Sequence, residues 1–365
     1  ISDIRNTKHN FSSTVTPNIL GNGDTRTVRS QNESEICVFC HTPHGSNTAG
    51  GPLWNREIPA SSTYTTYSSS SIDSSIGQPN GASRLCLSCH DGSIAIGSVR
   101  NRSGSGGFNV NGTTISMSGT GGGGVMPSGE GTGSGYTRNL GKDLRNDHPI
   151  SLTYNTNLVN QDEEMRQPGD YPLEVRGVGG FRGGIEAIHL EPSNPANPSL
   201  QNGQVQCISC HDPHIRNTTD DNIKFLRFNR LQKSTPDGSD NFIAGNGSSS
   251  GDIICLACHT KAGWENSAHA RPAVSDETYT NAAADAREFP RGTEVWESAC
   301  LACHDTHTVT GSRRLLRAGT DAGTFASASG YRIKSGSGSP AIEATCYACH
   351  SPGNGNPTLN GQGST

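Results

Sequence analysis

The chain has little of what normally builds a globular core. Leu, Ile, Val and Phe together make 61 of 365 residues, and aromatic residues are 5%. Below roughly 20% of those four types, a chain usually lacks the apolar surface to offset its conformational entropy. No stretch approaches the ~20 consecutive apolar residues of a membrane-spanning helix, so no such span is expected. There is no basic excess either. The formal net charge is −5, which argues against a nucleic-acid binder. Methionine is scarce, with only Met117, Met126 and Met165, so thioether ligation of a metal is a poor fit.

Cysteine is present in quantity and in one pattern. All 12 fall in six Cys-x-x-Cys-His motifs, and none is left over. The copies are CVFCH (Cys37, Cys40, His41), CLSCH (Cys86, Cys89, His90), CISCH (Cys207, Cys210, His211), CLACH (Cys255, Cys258, His259), CLACH (Cys300, Cys303, His304) and CYACH (Cys346, Cys349, His350). This is the attachment signature of c-type haem. Two thiols add across the vinyl groups, and the adjacent histidine becomes an axial ligand of the iron. Zinc sites need four ligands and give no reason for a histidine after every pair. A thioredoxin-like dithiol needs one pair beside a βαβ unit, and none is visible. Disulfides suit an exported chain but would not impose one spacing six times.

Six covalently attached haems also resolve the missing core. Each is a large apolar disc, and apolar burial contributes ~25 cal/mol per Å². The expected fold is mostly irregular coil with short helices and little or no sheet, wrapped around a haem stack. Twelve propionates and six ferric bis-histidine centres would move the formal charge from −5 to about −11. Covalent haem attachment takes place outside the cytoplasm. The chain starts at Ile1, as expected after removal of an export signal.

The first cysteines lie at 37, 86, 207, 255, 300 and 346, so four intervals are nearly equal and one is long. That is an internal repeat set by the cofactor. The long interval holds Asn101 to Gly135, with 13 glycines in 35 residues. Such a run reads as a flexible linker, ordered only if packed on a neighbouring subunit. Ser61 to Ser75, rich in Ser and Thr, reads as a solvated loop in preference to a glycan-bearing one. Ser275 to Pro290 reads as a short helix capped by Ser275, and Ala268 to Pro272 as a bend. The sequons at Asn10 and Asn246 carry no weight by themselves.

Seven histidines lie outside the motifs: His9, His44, His148, His189, His214, His269 and His307. Six irons need six second ligands. His44, His214 and His307 each lie three residues after a motif histidine. From there none can reach the far face of its own haem, but each can bind the iron next door.

NTKHN (Asn6 to Asn10), CVFCHTPHG, CLSCHDG, NDHPIS (Asn146 to Ser151), CISCHDPH, FLRFN (Phe225 to Asn229) and CLACH follow one another over residues 1–260. In this order they resemble the exported tetrahaem cytochromes of metal-reducing bacteria, some of which polymerise into extracellular filaments. The haem count resembles the hexahaem filament cytochromes. The resemblance implies a tetrahaem-like region, 1–260, carrying the glycine-rich insertion at about 101–135, and a two-haem extension, 261–365, in one continuous haem-wrapped unit. It implies that His9, His44, His148 and His214 serve as second ligands, while the extension supplies His269 and His307 and leaves His189 over. It also implies that His44 ligates a haem of the adjacent subunit in a head-to-tail filament.

The expected function is long-range extracellular electron transfer at the cell surface, not enzymatic catalysis. Metal oxides or other cytochromes would be the electron acceptors. One rival is a multihaem reductase, which needs an iron with an open face. Neither a Cys-x-x-Cys-Lys motif nor a shortage of histidines signals one here. The other rival is a monomeric periplasmic or outer-membrane shuttle, with His44 ligating inside its own chain.

Overall fold

A computed structural model describes residues 4–14, 27–51, 53–60, 64–69, 72–103, 113–128, 138–167, 200–201, 203–214, 225–226, 229–236, 253–309, 314–317, 346, 349–350 and 358–360. Among these the chain is a succession of turns with five helical segments: α1 (Gly81–His90), α2 (Thr156–Asp162), α3 (Cys207–Cys210), α4 (Asn281–Ala286) and α5 (Val295–Ser298). The longest, α1, has 10 residues. Isolated helices below ~12–15 residues are marginal in water, so packing and caps must hold each one. In α2, the Asn155 side chain accepts from Leu158 N, and Glu163 ends the helix in the left-handed region at φ 61°.

Four small sheets accompany them, where little or none was expected. β1 (Arg29–Ser30) pairs antiparallel with β5 (Met117–Ser118), and β3 (Ser98–Val99) with β4 (Thr113–Thr114). β2 (Thr65–Thr66) pairs in parallel with β6 (Asp143–Leu144). β9 (Gln204–Val205) lies between β7 (Leu152–Thr153) and β8 (Leu200–Gln201). Each strand has two residues, so the sheets act as staples between loops, satisfying backbone groups that water cannot reach.

No single core forms among the described residues. Buried apolar side chains gather in four clusters. The largest includes Leu231, Ile253, Tyr279, Phe289 and Leu301. Another joins Phe11, Phe39, Ile96 and Ile115, and two smaller ones centre on Tyr154 and on Leu87. Motif cysteines pack at the edges of three clusters: Cys40 and Cys89 on one, Cys258 on a second, and Cys255, Cys300 and Cys349 on the largest.

Several local expectations need correcting. Ser275 does not cap a helix, because its hydroxyl donates to Ala268 O. Thr278 and Tyr279 are drawn into extended bridges with Glu294 and Leu359. The helix therefore starts at Asn281, capped by Thr280. Ala268–Ala270 is a 3-10 turn. The glycine-rich run is ordered over 113–128 against its own chain, with Ile115 and Met126 buried. Glycine allows this approach, since a Cβ at Gly97 would lie 2.0 Å from the Ile115 carbonyl oxygen. In the Ser/Thr-rich loop, Tyr64 is buried and donates to Asp91 Oδ2 at 2.7 Å. Asn10 is buried, bonded to Arg5 O and Ser12. Asn246 lies outside the described residues. The regions on either side of residue 260 interleave: His148 N donates to Thr306 O at 2.8 Å, and Val309 N to Asn146 O at 3.0 Å.

Candidate metal centres

Each fully described motif sits on a helical turn. In four of them the histidine amide donates to the first cysteine's carbonyl, at 2.7 Å for His41 and 2.9–3.0 Å for His211, His259 and His304. The second motif forms the last turn of α1. One helical turn puts residues three apart on one face, so both thiols point the same way. No two of the 12 cysteines are joined in a disulfide.

A clamp that sequence reasoning missed holds three of these turns. The amides of Asn55, Arg166 and Arg317 donate to the carbonyls of Cys40, Cys258 and Cys303, each at 2.8 Å. The side chains of the same three residues donate to the carbonyls of Val38, Leu256 and Leu301, at 2.5, 2.8 and 2.7 Å. The residue before each clamp, Trp54, Met165 or Leu316, bridges the motif histidine, and Leu226 bridges His211 likewise. The dipeptides Met165-Arg166, Leu226-Arg227 and Leu316-Arg317 were the available signal.

The motif histidines then meet the others in pairs. Ring centroids are 6.3 Å apart for His90–His9, 6.2 Å for His41–His214, 6.4 Å for His259–His148, 6.2 Å for His211–His307 and 5.9 Å for His350–His269. A metal–imidazole bond is about 2.0–2.1 Å and a ring nitrogen lies about 1.1 Å from its ring centre, so two imidazoles coaxial with one metal have centroids about 6.2–6.4 Å apart. Four pairs match that separation and the fifth is within a few tenths of an ångström. His214 and His307 each meet a histidine of a different motif. His211, before residue 260, pairs with His307, beyond it.

The ring hydrogens are arranged to match. Nδ1 of His90, His148 and His304 faces the carbonyls of Arg138, Pro149 and Arg314, at 2.5, 3.0 and 3.0 Å. Nδ1 of His214 and His307 faces Asp212 and Asp147, at 3.1 and 3.2 Å. These oxygens accept, so Nδ1 donates and Nε2 keeps its lone pair, the usual outer-shell arrangement of metal-binding histidine. Burial, reinforced by the partner histidine, lowers His9 and His259 to about 3. Both stay in the neutral, ligating form. His307 moves the other way: burial lowers it, but the hydrogen bond and charge of Asp147 outweigh that and raise it.

The thiols also meet in pairs, and the pairs alternate. Cys40, Cys258 and Cys303 are raised to about 12, 12 and 11, first by burial and next by the nearby second cysteines Cys89, Cys210 and Cys349. Between first cysteines, the Cys86 and Cys207 thiols hydrogen-bond to one another, as do those of Cys255 and Cys300. Motifs one to six therefore neighbour one another in sequence order, through second cysteines and first cysteines by turns. Buried Gln206 links α1 to α3 at one such junction, bonding Ser83 and Asn80, while Cys207 N donates to Ser83 Oγ at 3.0 Å. Asn55 and Arg56 link the first two motifs, as Arg56 Nε donates to Ser88 Oγ at 3.3 Å.

A small apolar cleft adjoins the third motif, with Leu87, Leu140, Leu144 and Ile150 beside Cys207 and His307. Among the described residues no three His, Cys, Asp or Glu side chains converge as a caged ion would require. Facing imidazoles, paired thiols and apolar walls fit a flat group gripped from both sides.

Two of the described histidines are left. His304 is exposed and meets no second histidine among the described residues. His44 is also exposed. Its backbone is anchored, its carbonyl accepting from Thr42 Oγ1 at 3.0 Å and from Asn101, while its ring has no partner among the described residues. His189 lies outside them. The sequence matches no family model and no curated protein. No helix among the described residues is long and apolar enough to cross a membrane.

Proposed function

We propose that the chain is a six-haem c-type cytochrome that carries electrons over long distances outside the cell, as the repeating subunit of a filament. The observation that carries this reading is the histidine arithmetic. Five motif histidines face a second histidine at the spacing of two ligands on one metal, and the sixth, the exposed His304, faces none among the described residues. The exposed His44 has no ring partner among the described residues either. A neighbouring copy of the chain brings His44 to His304, completing the sixth pair in a head-to-tail contact that does not close and so extends indefinitely.

When bound, each haem supplies a reversible one-electron couple. The protein's part is structural. The helical turns and clamps hold the thiols, the Nδ1 acceptors aim the imidazoles, and the alternating thiol contacts keep neighbouring sites close. With both faces of each site occupied by histidine, no position is open for substrate, which favours electron transfer over a reductase.

Electron microscopy of native material at a resolution that locates the irons tests this directly, alongside a haem assay by pyridine haemochrome. Six haems per chain and continuous filaments with His44 on the haem of a neighbour's His304 are expected. Discrete monomers, with an internal ligand facing His304, would leave a soluble shuttle and overturn the filament. A chain carrying no covalent haem would overturn the whole reading.

A further inference from the structure

The Nδ1 acceptors of His90, His148, His304, His214 and His307 are not equivalent. His90, His148 and His304 donate to neutral main-chain carbonyls. His214 donates to Asp212, whose side chain is 23% exposed. His307 donates to Asp147, whose side chain is 5% exposed. Asp147 Oδ1 also accepts from Thr308 N at 3.1 Å. The Asn146 amide, oriented to satisfy both its atoms, donates to Oδ2 at 3.2 Å. A buried carboxylate is thus fixed by three donors, one of them the ring facing His211.

We propose that Asp147 is a potential-setting residue that lowers the reduction potential of the haem attached at Cys207 and Cys210. This rests on the bis-histidine reading given above. The ferric centre carries one more positive charge than the ferrous one, so a fixed anion favours the oxidised state. A carboxylate on Nδ1 also makes the imidazole a stronger donor to the metal. Hydrogen bonding and burial are both levers on haem potential, and a charge out of water acts strongly because little solvent screens it. By the order of thiol contacts this is the third of six sites. The step therefore lies inside the chain, where it discourages electrons from resting midway.

The test is a potentiometric titration of native, haem-loaded protein followed by electron paramagnetic resonance, comparing wild type, Asp147→Asn and Asp147→Glu. The His211 and His307 planes differ by 30° and those of His41 and His214 by 17°, while the other three pairs differ by 52–74°. The third site therefore belongs to the smaller, more rhombic group of low-spin signals. Asp147→Asn should shift one rhombic signal to higher potential and leave the others in place, and Asp147→Glu should remain near wild type. An unchanged titration for Asp147→Asn with all haems low-spin overturns the assignment. So does loss of one low-spin haem in both variants, since the carboxylate then only holds His307. Absence of low-spin haem from the wild type would instead refute the underlying bis-histidine reading.

Discussion

Replacing His44 with alanine should strip one ligand from one haem in six and leave five untouched. The magnitude follows from the pairing. His9, His148, His214, His269 and His307 already face motif histidines within their own chain at 5.9–6.4 Å, and none of them depends on His44. Ferric protein should therefore show about one sixth of its iron as high-spin by electron paramagnetic resonance, with a matching fraction of the visible charge-transfer band, since an iron that loses one axial histidine loses its strong field. Sizing should show monomers in place of polymer. Free imidazole should restore the low-spin signal without restoring the polymer, because it supplies the ligand and not the covalent link to another chain. His189→Ala is the control and should leave every iron low-spin. The reasoning is refuted if His44→Ala keeps six low-spin haems, for then the ligand facing His304 lies inside the chain. A high-spin fraction near two sixths would show that His44 serves more than one site.

Other outcomes follow from separate features. Arg56 is fully buried and its guanidinium donates to Ser88 Oγ and to the carbonyls of Ser88, Ala95, Ile96 and Ser98. Arg56→Met removes the guanidinium donor from each of those oxygens, only Ala95 O keeping the Ser98 amide, and should cost about 3 kcal/mol or more in denaturant titration of the haem-loaded protein; a cost under about 1 kcal/mol would contradict the linking role. Arg317→Leu, which removes the side-chain bond to Leu301 O at 2.7 Å, should cost about 1–3 kcal/mol and lower haem occupancy at Cys300 and Cys303, measured by mass spectrometry of the tryptic peptides; full occupancy with wild-type stability would argue against the clamp. A chain with all 12 cysteines changed to serine should be largely disordered by circular dichroism, because four small clusters cannot replace six buried discs. A folded spectrum would show that the polypeptide supplies its own core.

Much of this was legible before any coordinates. Six Cys-x-x-Cys-His motifs with no cysteine to spare point to the proposed chemistry whatever the fold, because thioether attachment would need only local spacing. The shortage of apolar residues is in keeping with the four separate clusters among the described residues. Less local features were not legible. The helix capped by Ser275 was misplaced because Ala268, Glu294 and Leu359 compete for that segment. The glycine-rich run looked like a linker, since no local pattern reveals that Ile115 fits against Gly97. The clamps escaped notice because Asn55, Arg166 and Arg317 sit at unrelated distances from the turns they hold.

The sequence by itself determined how many Cys-x-x-Cys-His motifs there are, which thiols and which adjacent histidine belong to each, and that seven further histidines are available to face them. Only the tertiary structure decided the partners: His9 with His90, His214 with His41, His148 with His259, His307 with His211, His269 with His350. It also left His44 and His304 without a facing histidine among the described residues. The physical reason is range. A motif's two thiols and histidine are fixed within five consecutive residues, whereas a second imidazole can come from any part of the chain that folding brings within a few ångströms of the first.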